Sequence, residues 1–250
     1  MSPQGNSQGS SRLQGKVALV TGASRGIGRA VAQRFAKEGA AVALAARTES
    51  DLKEAAREVE AAGGRAVVLA ADVSDPDQAA RLSADTVAQL GRLDILVNNA
   101  GIGGRGKVDE LALADWDRVF AVNLRGVFLV TRAAVPAMKK QGGGHIVNIS
   151  SVAGLVANPG ISAYNATKFG LMGFSESLMF ELRHDHIKVS VICPGSTDTH
   201  FGVGSTPGGP GRENFLSAED VADAVLDIVT ASSNALVSQV HLRPLIPPRR

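Results

Sequence analysis

A single cysteine, Cys193, stands in this chain of 250 residues. One cysteine permits no intrachain disulfide, so a reducing compartment is expected and a cytoplasmic location fits best. An excess of charge of one sign is also missing. Lys and Arg number 26 against 24 Asp and Glu, a net charge of +2, and the charges are interspersed along the chain. That balance predicts no nucleic-acid and no membrane partner. No apolar run approaches the roughly 20 residues of a membrane span. The stretch Met1 to Ser11 is Gly, Ser, Gln and Asn with almost nothing apolar. It lacks the apolar core of a signal peptide, roughly 7–15 residues, and is expected to be a disordered leader over residues 1–11. The five histidines, His145, His184, His186, His200 and His241, form no metal-ligand spacing with acidic or sulfur partners, so no metal is expected. Aromatic residues are only 4% of the chain, and Tyr164 is the one tyrosine.

Hydrophobic residues make up 44%, and their pattern sets the fold class. Strand-like runs fall at Val17–Val20, Val42–Ala45, Ala66–Ala70, Ile95–Val97, His145–Ile149, Val189–Ile192 and Leu236–Val240. Most are apolar throughout, as strands covered on both faces should be. Helical stretches such as Arg29–Glu38, Glu49–Ala62, Pro76–Leu90, Trp116–Val135 and Ala163–Arg183 lie between them. This alternation predicts an α/β chain, a doubly wound Rossmann-type sheet of about seven parallel strands with helices on both faces. Residues 12–243 are expected to form one domain, with 244–250 as a C-terminal tail. One segment breaks the rhythm. His200 to Phe215 carries five glycines and two prolines, and it follows a predicted strand end, where ligands sit in open α/β sheets. A substrate lid over about 200–216, mobile when nothing is bound, is the reading adopted over a plain surface loop.

The first strand runs straight into Thr21-Gly22-Ala23-Ser24-Arg25-Gly26-Ile27-Gly28, and a helix follows. The spacing of Gly22, Gly26 and Gly28 is not the common G-x-G-x-x-G. The physics is shared: a tight turn, close backbone approach to a pyrophosphate, and a helix N-terminus facing negative charge. Ser24, Arg25 and Ile27 fall within this turn and are counted with it. The second strand ends in Ala45-Ala46-Arg47. An acidic residue there would bond both ribose hydroxyls, whereas a guanidinium can hold a 2′-phosphate bidentately. With Arg25 as a second positive charge, NADP(H) is favoured over NAD(H). Asp72 and Val73 follow the third strand and Asn99, Ala100 and Gly101 the fourth, all at carboxyl ends. Asp72 can accept from an adenine amino group. Asn99 can satisfy backbone groups where strands diverge, and Gly101 lets the chain pass close to the cofactor.

A carbonyl that receives hydride gains alkoxide character, so a proton must arrive in step. Tyr164 can supply it. Lys168 stands one helical turn on, and its positive charge, with the nicotinamide's in the oxidised state, would lower the tyrosine pKa from its ordinary value of about 10. Ser151 or its neighbour Ser150 can bond the substrate oxygen, and chemistry alone does not choose between them. Thr21–Gly28, Asn98–Gly101, Asn123, Ser151, Tyr164-Asn165-Ala166-Thr167-Lys168 and Pro194-Gly195 together resemble the motif set of the short-chain dehydrogenase/reductase family. The match runs from about Lys16 to Thr199 in order. The resemblance selects Ser151, which precedes Tyr164 by the family's thirteen residues. It implies that Asn123 holds a water linking Lys168 to solvent, and that Lys168 also holds the nicotinamide ribose. It further implies that Pro194, Gly195, Thr197 and Thr199 meet the carboxamide and phosphates.

Within that family the sequence looks similar to 3-oxoacyl-carrier-protein reductases, with two departures. The places where those reductases present basic residues to a carrier protein fall near Gln141–Gly142 and on Asp185, with Lys139, Lys140 and Arg183 only nearby. The chain also ends Val240-His241-Leu242-Arg243-Pro244 rather than in a glycine-rich strand end, which puts tetramer geometry in question; pairing through the two long helices still permits a dimer. The function expected is NADPH-dependent reduction of a ketone or aldehyde, a 3-oxoacyl thioester included, by a homodimer or homotetramer acting on a small molecule. An NAD-dependent alcohol dehydrogenase is the alternative if Arg47 points away from the ribose. A non-catalytic dinucleotide-binding sensor or scaffold is a further alternative, against which the set Asn123, Ser151, Tyr164 and Lys168 speaks.

Overall fold

The structure, a computed structural model, describes residues 11–201 and 206–246. Most of the expected leader, part of the expected lid (202–205) and the end of the tail (247–250) lie outside the described residues. Seven strands form one sheet in the order β3-β2-β1-β4-β5-β6-β7, with every neighbouring pair parallel. They are β1 (Val17–Thr21), β2 (Ala41–Ala46), β3 (Arg65–Ala70), β4 (Ile95–Asn98), β5 (Gly144–Ile149), β6 (Ile187–Pro194) and β7 (Gln239–Leu242). The chain builds outward from β1 to β3 and then returns to place β4 against β1. That reversal leaves a crevice at the carboxyl ends of β1 and β4.

The apolar strands are covered on both faces, as their lack of polar alternation requires. One core cluster joins the sheet to α1 (Gly26–Lys37), α2 (Glu49–Ala61) and α7 (Ala218–Val229) through Val31, Phe35, Leu52, Val59, Val225 and Leu226. The other joins it to α3 (Pro76–Leu90), α5 (Gly126–Lys140) and α6 (Ser162–Leu182) through Leu82, Val130, Ala134, Met138, Leu178 and Leu182. Local chemistry fixes the ends. Asp75 caps α3 ahead of Pro76, and Ser217 and Asp220 cap α7 reciprocally.

Two elements differ from their sequence readings. The long helix expected at Trp116–Val135 is α4 (Leu113–Phe120) continuing into α5 through a π-turn at Ala121–Arg125. The continuous run Leu113–Lys140 contains an 18-residue stretch of mean hydropathy 1.4 and is long and apolar enough to cross a membrane by length and composition. Here it is a core helix packed on α3, α6 and the sheet. The last strand begins at Gln239, not Leu236. Lys188 Nζ donates to the carbonyls of Ser232 and Ala235 at 2.8 and 2.6 Å, holding this stretch as a turn, and Ser190 Oγ takes the Val237 carbonyl. Backbone acceptors spent on side chains delay the ladder.

Candidate active site

The glycine turn is built by close approach. A Cβ on Gly22, which has φ +65°, would lie 2.9 Å from Ala100 Cα, and one on Gly28 would lie 2.4 Å from the Gly22 carbonyl oxygen. Only glycine fits this turn. Asn99 locks it from β4: its Nδ2 donates to the Thr21 and Gly22 carbonyls at 3.0 and 3.2 Å. Thr21 Oγ1 in turn accepts from the Asn99 and Ala100 amides at 3.0 and 3.1 Å. The sequence reading placed Thr21 at the head of the glycine turn without a role of its own; in the structure it is the last residue of β1.

Arg25 is the N-cap of α1 and exposed, and Arg47 is exposed just past β2. Neither makes an ion pair among the described residues. Arg29, one turn into the same helix, is by contrast tied to Glu54 and Glu58. Asp72 accepts from Ser74 N and Oγ at 2.9 and 2.7 Å through one carboxylate oxygen. Val73 sends its side chain into the core, so only its backbone faces the crevice side. Ser24 and Ile27 are half-buried in the turn, and Ile27 packs on the core.

Tyr164, Lys168 and Ser151 come together at the far side of the crevice. Lys168, buried on α6, places Nζ 5.7 Å from the Tyr164 ring centroid and donates to the Ile149 carbonyl at 2.8 Å. Burial brings its pKa down to about 8. The two serines part company. Ser150 is buried and donates to the Lys168 carbonyl at 3.4 Å, whereas Ser151 is half-buried, its Oγ accepts from Ala153 N at 3.1 Å, and its hydroxyl acts to lower the Tyr164 pKa. Asn165 fixes their spacing, since its Nδ2 donates to the Ala153 carbonyl at 2.6 Å and its Oδ1 accepts from Asn158 N at 3.2 Å. This residue, one past the tyrosine, was not singled out from sequence.

In the chain by itself the tyrosine pKa lies above its ordinary value. Burial pushes the phenol up to about 12, with Ser151 pulling the other way. The ammonium does not offset this, because it points at the Ile149 carbonyl and its own charge is disfavoured by burial. The phenol is therefore held protonated at neutral pH.

Asn123 sits in the π-turn, a distortion that turns its side chain inward. Its Oδ1 accepts from Ile102 N and its Nδ2 donates to the Ile102 carbonyl, both at 2.8 Å. Nδ2 also reaches Thr167 Oγ1 at 3.4 Å. Asn123 thus pins the chain after Gly101 to the helix that carries Tyr164. On the last side, Gly195 N donates to the Leu242 carbonyl at 2.8 Å behind Pro194, and Thr197 Oγ1 donates to the Gly195 carbonyl at 3.1 Å. Thr199 is buried with its Cβ beside Gly26, and its Oγ1 accepts from Phe201 N at 3.2 Å.

The short chain dehydrogenase family profile matches residues 16–207. The chain belongs to that family. A 3-oxoacyl-[acyl-carrier-protein] reductase of Thermotoga maritima is 38% identical over 92% of this chain and 96% of its own length. A Mycobacterium tuberculosis protein named an NAD-dependent oxidoreductase is 39% identical, over 90% of this chain and 92% of its own. A metagenomic short-chain oxidoreductase solved in complex with NADP superposes with a TM-score of 0.83 at 39% identity, covering 94% of this chain and 99% of that one. The family member described here is an NAD(P)-dependent short-chain oxidoreductase.

Proposed function

We propose that the chain reduces a ketone or aldehyde carbonyl with NADPH, Tyr164 giving the proton. The observation that carries this reading is the placement of Lys168 Nζ 5.7 Å from the Tyr164 ring, held there by the Ile149 carbonyl, with Ser151 just past the same strand. The glycine turn fits a dinucleotide, because its backbone has no room for a Cβ and faces the N-terminus of α1. A bound nicotinamide supplies the hydride and is oxidised in giving it. The chain's own groups do the rest. Ser151 orients the carbonyl oxygen, the C=O π pair moves onto that oxygen, and the phenolic proton of Tyr164 joins it. Lys168 then holds the tyrosinate beside its ammonium until solvent returns a proton, with Asn123 holding the relay water.

Arg47 and Arg25, with no carboxylate partners among the described residues, support the 2′-phosphate reading over the NAD-dependent one. A 3-oxoacyl thioester belongs to the carbonyl class, and the Thermotoga maritima relative supports it. Delivery by a carrier protein is less favoured, because Lys139 is paired with Asp185 at 2.6 Å on the face a carrier would need. A cytoplasmic homo-oligomer, dimer or tetramer, completes the reading. Phe128, Phe169 and Phe180 on α5 and α6 are each close to half exposed, which supports pairing through the two long helices.

The test is Tyr164→Phe. The variant should bind NADPH as the parent does, followed by nicotinamide fluorescence, while carbonyl-dependent NADPH oxidation drops by about three orders of magnitude or more. Turnover within about tenfold of the parent would refute the role of the phenol.

A further inference from the structure

The ring of Tyr164 has two neighbours of opposite character. On one side stands the buried Lys168 ammonium. On the other stands Phe201, its ring centroid 5.7 Å from that of Tyr164 and tilted by 52°. Phe201 is 46% exposed, so this is the side open to solvent. A carbonyl compound that reaches the Tyr164 hydroxyl from solvent passes over the Phe201 ring. Across from that ring lies Gly103, which presents no side chain; even an added Cβ there would stand 3.8 Å from Phe201 Cε1. The Gly103 backbone thus packs close to one edge of the ring, and the rest of the ring faces solvent.

The position of Phe201 is set, not loose. Its amide donates to Thr199 Oγ1, and Thr199 is buried against Gly26. Asp198 anchors the same stretch from behind by accepting from Arg212 Nη1 at 2.9 Å and Gly208 N at 2.7 Å. Arg212 also donates to the Thr199 carbonyl at 3.0 Å. Arg212 is therefore occupied by Asp198. On the stretch between Ser151 and Tyr164, Val156 adds a half-exposed apolar side chain whose carbonyl is held by Asn165.

We propose that Phe201 is a specificity-determining residue that selects carbonyls bearing a flat aromatic substituent next to the reacting carbon. The assignment rests on the reduction proposed above and narrows its substrate class. An aryl ring on the carbonyl carbon lies against Phe201 in offset or edge contact while its oxygen meets Tyr164 and Ser151. An alkyl ketone of similar reach gains only area, and an anionic or polar chain gains nothing from this wall.

The experiment compares acetophenone, butan-2-one and 3-oxobutanoyl-coenzyme A with the parent, Phe201→Ala and Phe201→Leu, at saturating NADPH. For the parent, kcat/KM should be highest with acetophenone. Phe201→Ala should raise KM for acetophenone about tenfold more than KM for butan-2-one, with Phe201→Leu between the two. NADPH binding by fluorescence and the thermal midpoint identify any variant that is misfolded, and the leucine variant keeps the comparison alive if the alanine one is. Equal KM changes for the two ketones would overturn the assignment. So would a lowered KM for both, since that would make Phe201 a plug over Tyr164. A parent that prefers the thioester or the alkyl ketone would overturn the aryl assignment while leaving carbonyl reduction standing. A parent that oxidises NADPH with none of the three would refute the reduction and this inference with it.

Discussion

On the proposed reading, cofactor choice turns on a single side chain at a strand end. Arg47 follows β2 with its guanidinium in solvent and unpaired among the described residues, while Arg29 nearby is saturated by two glutamates. A free guanidinium can engage a phosphate bidentately, and a charge-assisted bond of that kind is worth roughly 1.5–3 kcal/mol. Arg47→Asp should therefore shift the ratio of kcat/KM for NADPH over NADH by about 10- to 100-fold toward NADH. An unchanged ratio would return the NAD-dependent reading. At this scale the sequence was most legible for identity and least for environment. Tyr164, Lys168 and Ser151 are recognisable from spacing. The direction of the tyrosine pKa is not, because it depends on where the Lys168 ammonium points, and the Ile149 carbonyl that takes it is a backbone atom no motif marks.

Elements carry these residues to one place, and their junctions are where sequence patterns lose force. Periodicity located six of the seven strands to within a residue or two, since burial on both faces leaves an unbroken apolar run. It misplaced β7, where Lys188 and Ser190 consume the carbonyls that an earlier start would need. It also could not show the π-turn, because one extra residue in a helix leaves the apolar stripe almost unchanged. The segment after β6 shows a further device invisible to pattern. Both carboxylate oxygens of Asp198 are used, one by Arg212 and one by Gly208, and its amide donates to the Leu216 carbonyl at 2.7 Å. The pairing holds the Asp198 pKa below the usual carboxylate range. Asp198→Asn keeps the shape but removes the charge and one acceptor. Trypsin should then cleave after Arg212 about five- to tenfold faster, as local opening becomes easier. NADPH affinity should fall in parallel through Thr199 on Gly26. An unchanged cleavage rate would show that this clasp does not hold the segment.

Across the whole molecule, the sheet is held not only by apolar layers but by polar seams within them. Asn98 Nδ2 donates to Asn148 Oδ1 and Thr131 Oγ1, and Asn148 Nδ2 donates to Ser175 Oγ, which ties β4 and β5 to α5 and α6 under the site. A second seam runs from His145 on β5 to Ser190 on β6 and on to the Val237 carbonyl ahead of β7. Ser190 gives its one proton to Val237, so the His145 ring donates to Ser190 through Nε2. Burial, with Lys188 nearby, brings the His145 pKa from 6.5 down to about 4. Between those two values the unfolded chain takes up a proton that the folded chain refuses, so stability is full above pH 6.5 and is lost as pH falls toward 4. From pH 7 to pH 4.5 this one histidine should cost about 2 kcal/mol of folding stability. Carboxylates that titrate in the same range add their own loss, so the contribution is isolated by difference. In urea unfolding, His145→Gln, which can still donate to Ser190, should lose about 2 kcal/mol less than the parent over that interval. If parent and variant lose stability in parallel, His145 is not held neutral, and the seam across β5, β6 and the approach to β7 does not constrain it.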